Sequence, residues 1–241
     1  MSYEQLDADK IVATIDTLHR RIVERFPAAG LAQVCQKLLE IAKAARERSA
    51  QIARPIRGVR FLSALVIGVV VISTGWIAWI VLHGETTAVL RSTELIQVLE
   101  AAMSAIVLIG ATVFFFVTLE TRIKRGRALK AIHTLRCIGH IIDMHQLTKD
   151  PERLGQEGHD TQSSPKRTMT EFELSRYLDY CSEMLSLTGK VAALYVQTFQ
   201  DAVAVSAVND IENLTTDMSR KIWQKLMVLH ANEPDVSTRR A

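Results

Sequence analysis

The chain has 241 residues, with 29 Lys and Arg against 26 Asp and Glu, for a formal net charge of +3. Its 11 Gly and 5 Pro are too few for a fibrous or disordered chain, and its 48% hydrophobic content matches an ordinary globular protein. The distribution is not ordinary, however: the apolar residues gather into two blocks that a simple soluble domain would not carry.

Residues 1–60 are expected to form a helical hairpin. Ile11, Ile15, Leu18, Ile22 and Phe26 recur at helical spacing and mark one apolar stripe. Pro27 and Gly30 interrupt that pattern, and a second helix then carries Val34, Leu38, Ile41 and Ala45 on one face. Asp7, Asp9, Lys10 and Asp16 leave no apolar core for a signal peptide, so the first apolar block is expected to act as an uncleaved anchor.

That block is 61–82, a run without a charge that would reach about 33 Å as a helix, enough for a hydrocarbon core of about 30 Å. The second is 101–119, about 28 Å long and bounded by Glu100 and Glu120. Both are expected to be transmembrane helices, joined by a short external loop at 83–100. Cations crowd the outer flanks: Arg54, Arg57 and Arg60 before the first block; Arg122, Lys124, Arg125 and Arg127 after the second. The positive-inside rule then puts both termini in the cytoplasm of an inner (plasma) membrane, with these seven side chains at its anionic inner leaflet. Cys35, Cys137 and Cys181 fall on that side and are expected to be reduced thiols.

The predicted fold class is all-α, with a cytoplasmic helical bundle or coiled-coil domain at 120–230. A stalk helix is expected at 120–147, a mobile loop at 148–169, helices at 170–199 and 201–230, and a tail at 231–241. Thr170 and Glu173 have the spacing of a capping box. Leu174, Leu178, Cys181, Leu185, Thr188, Ala192, Tyr195 and Phe199 follow in alternating steps of helical period, the seam of a bundle or an oligomer. The last helix has Val208, Ile211, Leu214, Met218, Ile222, Leu226 and Leu229 on its inward face.

Neither apolar block contains an ionisable residue, which argues against proton- or ion-coupled transport. Two helices cannot enclose a water path, so a pore would need several copies, with Glu100 and Glu120 as acidic rings at its mouths. On the stalk, His133, Arg136, Cys137, His140, Asp143 and Met144 share the face opposite Ile132, Leu135, Ile138 and Ile142. This is a face for a protein partner or, with help from another helix, for a metal; no metal is assigned, since His133 and His140 would lie about 10.5 Å apart along the axis. No phosphate-loop, dinucleotide, hydrolase or zinc motif is present, and the basic residues lack the interleaved aromatics of a nucleic-acid surface.

Two spans framed by cytoplasmic helices resemble the layout of the SLATT two-span effectors of bacterial nucleotide-signalling systems, which implies pore formation as an alternative role. The mitochondrial calcium uniporter has a comparable layout, but its Trp-Asp-x-x-Glu-Pro signature is absent from 83–100. The expectation is a non-enzymatic, cofactor-free, homo-oligomeric membrane scaffold or adaptor with a cytoplasmic protein partner and no nucleic acid. A channel or pore-forming effector gated from the cytoplasm is the alternative.

Overall fold

The computed structural model describes residues 5–83, 92–149, 162–163 and 169–231. Among them are α1 (Ala8–Arg25), α2 (Gly30–Ala53), α3 (Arg57–His83), α4 (Ser92–Leu147), α5 (Glu171–Ala193) and α6 (Ala202–Ala231), and no strand. The protein is all-helical. The expected loop at 148–169 and tail at 231–241 fall mostly outside the described residues. The chain divides into two compact units, Met1–Ala53 with Arg127–Ala241, and Arg54–Gly126.

The first unit holds the buried core. Asp7 starts α1 by accepting hydrogen bonds from the backbone N–H groups of Asp9 and Lys10 at 3.0 and 3.2 Å. The stripe Ile11, Ile15, Leu18 and Ile22 is buried along the whole helix. Pro27 cannot continue the helical ladder, and Phe26 turns inward to meet Tyr177 and Tyr180 edge-on, at centroid distances of 5.5 and 6.3 Å. Leu31, Cys35, Leu38, Ala42 and Ala45 of α2 complete the pairing with α1. Such helices are marginal alone and fold by burying these faces, each fully covered Leu or Ile being worth about 1.5–3 kcal/mol.

Thr170 and Glu173 form the capping box: the Thr170 hydroxyl accepts from Glu173 N at 3.3 Å, and Glu173 Oε2 accepts from Thr170 N at 2.8 Å. Leu174, Leu178, Cys181, Leu185, Thr188 and Ala192 are all buried within this one chain, where α5 packs on α6, α1 and α2. The expected helix at 170–199 is corrected: α5 ends at Ala193. The backbone tightens there, with Tyr195 N donating to Ala192 O at 3.1 Å. Asp201 then begins α6, its carboxylate accepting from Ala204 N at 3.1 Å. Tyr195 is still buried, while Phe199 is only partly covered. In α6, Thr215 takes the buried place beside a half-covered Leu214, and the other expected inward residues are buried.

The last part of α4 belongs to this unit as well. Ala128, Ala131, Ile132, Leu135, Ile138 and Ile142 are buried. Lys225 from α6 donates to the carbonyls of Gln146 and Lys149, both at 3.0 Å, and so satisfies acceptors at the helix C-terminus. Gly30 opens α2 against the His145 ring: a Cβ there would come within 2.8 Å of Cε1. At the other end, Gln197 Oε1 accepts from Leu6 N at 3.0 Å, tying the N-terminal segment to the turn between α5 and α6.

The second unit is α3 with the first part of α4. Both helices are long and apolar enough to cross a membrane, and none of the most apolar stretch of either is buried within the chain. The core helix of a soluble protein would be covered; here Phe61, Ile72 and Ile106 are 73%, 72% and 70% exposed. Hydroxyls in these helices are satisfied locally, Thr74, Thr112 and Thr118 donating to carbonyls one turn back at 2.8–2.9 Å. Ser63 Oγ donates to Phe116 O at 3.2 Å and joins α3 to α4. The expected loop at 83–100 is also corrected: α4 begins at Ser92, so residues 92–100 are helical. The loop boundary had been set by the charge of Glu100, but no Pro or Gly lies between 92 and 100, and a charge alone does not stop a helix.

Candidate functional site

Three groups of side chains carry chemistry. The first is the polar face of α4. His133, Arg136, Cys137, His140 and Met144 are exposed there, opposite the buried row Ile132, Leu135, Ile138 and Ile142. Asp143 is half-buried and accepts from Gln146 Nε2 at 2.7 Å. Cys137 Sγ lies 3.8 Å from His133 Nε2, one turn away. Among the described residues, no three His, Cys, Asp or Glu side chains come together in a way that could hold an ion. The face offers imidazole, guanidinium, thiol and thioether groups side by side on one helix.

The second group surrounds Glu120, in the unit of α3 and α4. Glu120 Oε2 accepts from Arg60 Nε at 2.7 Å, and Oε1 from Lys124 Nζ at 2.9 Å and from the backbone N–H of Ile56 at 3.3 Å. These donors, first Arg60 and then Lys124, pull its carboxyl down to about 2. The side chain of Glu120 is 15% exposed, and that of Lys124 is 12% exposed. In the pore alternative, Glu120 would form an acidic ring at one mouth. Here it is the centre of an intramolecular clamp that fixes the chain entering α3 to α4, with its charge already neutralised by two cations.

The clamp gives a pH prediction with a definite sign. The folded-state carboxyl is lower than its unfolded value, so its contribution is complete above the ordinary carboxylate range and disappears as pH falls toward about 2. Infrared titration of the wild type against Glu120→Gln should still find this carboxylate ionised at about pH 3.5, well below where a free Glu at about 4.3 has protonated. Protonation of Glu120 near pH 4.5 would show that the clamp is not formed.

The basic residues expected at the lipid surface divide by role. Arg54, Arg57, Arg122 and Arg127 are exposed, and Arg125 is half-covered. Arg60 and Lys124 are held by Glu120, and Lys124 is too covered to serve as an open lipid contact. Arg122 lies over the Phe115 ring at 5.9 Å. Glu100, the other expected mouth acid, is exposed.

The third group was not picked out from the sequence. Arg48, Gln51 and Ile52 of α2 and Arg127, Lys130, Ala131 and Thr134 of α4 line one cavity of about 440 Å³. The signal was present as spacing: each set repeats at three and four residues, which places it on one helical face. Arg127 had been assigned to lipid because it follows the second apolar block, and nothing local links it to Arg48.

Comparison of the chain with family models, curated proteins and solved structures finds no match.

Proposed function

We propose that this is an integral membrane protein in which α3 and the first part of α4 span the bilayer, both termini are cytoplasmic, and the helical bundle is a non-enzymatic binding module, making the whole a scaffold or adaptor. The observation that carries this reading is the contrast between the two units. One has a core of its own; the other exposes long apolar helices of the length and composition that a hydrocarbon medium would cover. The exposed polar face of α4 at His133, Arg136, Cys137, His140 and Met144 is the surface it offers to a cytoplasmic partner.

Self-association belongs to the spans in this account. The α5 seam, expected to serve either the bundle or an oligomer, lies inside the protomer's own core and is not available to a second copy. Gly68, Gly75 and Gly110 have no described atom within 4 Å of where a Cβ would stand, which leaves room for another helix to approach closely. The pore alternative loses one of its two mouth acids to the Glu120 clamp.

Native mass spectrometry of the chain in nanodiscs tests the reading. A small oligomer, two to four copies by our reading, is expected. A particle of five or more copies with ion conductance in liposomes would replace the scaffold by the pore.

A further inference from the structure

We propose that the cavity between α2 and α4 lined by Arg48, Arg127 and Lys130 is a binding site for an anion carrying more than one phosphate group. The cavity belongs wholly to the bundle unit.

The lining argues for this chemistry. Three cations face a space of about 440 Å³, and none of the lining residues is acidic. Among the described residues no carboxylate pairs with Arg48, Arg127 or Lys130, whereas Arg60, Lys124, Arg46 and Arg176 each have one. Like charges lining one cavity repel one another, and a polyanion between them removes that cost. Two guanidinium forks suit phosphate oxygens bidentately, and Lys130 adds a point charge. The Gln51 amide supplies a neutral donor. Thr134 is committed elsewhere, its hydroxyl donating to Lys130 O at 3.1 Å.

Ile52 and Ala131 form a buried apolar floor, 5% and 7% exposed, which excludes water from beneath the ligand. The volume lies within the usual range for small-molecule sites, roughly 300–1,000 Å³, and exceeds what a single phosphate needs. One further feature fixes Arg48. It lies beside the Tyr195 phenol, where its charge and its hydrogen-bonding N–H groups oppose the rise in pKa that burial causes. A guanidinium ordered by an anion can donate one N–H to it and the others to phosphate.

The same chemistry is available from a soluble polyphosphate or from a lipid headgroup with two phosphates. Two probes separate these sources on the full chain. The first is tripolyphosphate, titrated calorimetrically against protein in pure phosphatidylcholine nanodiscs. The second is cardiolipin, counted per chain by native mass spectrometry. The test variant is Arg127→Gln with Lys130→Gln; both residues are exposed, so folding is preserved. The control is Arg20→Gln with Lys37→Gln, which removes equal charge from exposed positions of the bundle outside the cavity.

The site predicts about one ligand per chain, binding about 100-fold weaker in the test variant, and a control within about threefold of wild type. Tripolyphosphate behaving so identifies a soluble ligand; cardiolipin alone behaving so identifies a headgroup. The proposal is overturned if neither probe binds, if binding is unchanged in the test variant, or if the control loses it equally.

Discussion

Leu178→Glu should unfold the helical bundle while leaving the chain in the membrane. Leu178 is 0% exposed in the middle of α5, among Leu174, Cys181 and Leu185, and α5 packs on α6, α1 and α2. A carboxylate there would lose its hydration, and burying it costs several kcal/mol beyond the lost apolar contact. Domains of this size are stable by about 5–15 kcal/mol, so the substitution removes most or all of that margin. Leu178→Ala is the graded version, expected to cost about 2–5 kcal/mol. Circular dichroism and limited proteolysis report the bundle, and resistance to carbonate extraction reports the membrane. If the seam served an oligomer instead, Leu178→Glu would lower the assembly state and leave the bundle protease-resistant.

The three thiols should separate by reactivity more sharply than by any other property. Burial pushes both Cys35 and Cys181 up to about 12 from an ordinary value of 9.0. At neutral pH that shift alone lowers the reactive thiolate about 1,000-fold, and both sulfurs are fully covered besides. Cys137 is exposed on the polar face of α4. A maleimide should therefore modify one cysteine per folded chain, at Cys137, and reach the other two only in denaturant. Labelling of Cys181 at a rate within tenfold of Cys137 would mean that the α5–α6 core is open.

The helices were legible where one periodicity ran unbroken. Ile11 to Ile22 on α1, and Leu174 to Ala192 on α5, carry patterns that only a helix buries on one side, and Thr170 with Glu173 marks a helix start by chemistry. Boundaries were less legible because other signals compete there. Glu100 looked like the edge of a loop, yet helix geometry is indifferent to one charge. Tyr195 keeps the spacing of the seam and stays buried, but reaches the core from a turn.

The site residues were legible as types and not as partners. Lys124 is visible in sequence as a partner for Glu120 one turn away, but Arg60 is far along the chain, and only folding brings its Nε within 2.7 Å of the carboxylate. The same holds for Arg48 and Arg127, which share a cavity across two helices. His145 and Gly30 are a third such pair, brought together where α4 ends and α2 begins. Periodicity predicts which side of a helix is covered, and it is silent about which helix does the covering.

Impermeant maleimide applied to sealed, right-side-out membrane vesicles tests the central claim, that two spans hold both cytoplasmic segments on one side. Cys137 serves as the inner reporter and Thr87→Cys as the outer one, with Cys35 and Cys181 silent by burial. Thr87→Cys is expected to label at once, and Cys137 only after the vesicles are permeabilised. Labelling of Cys137 in intact vesicles, with or without that of Thr87→Cys, would contradict it.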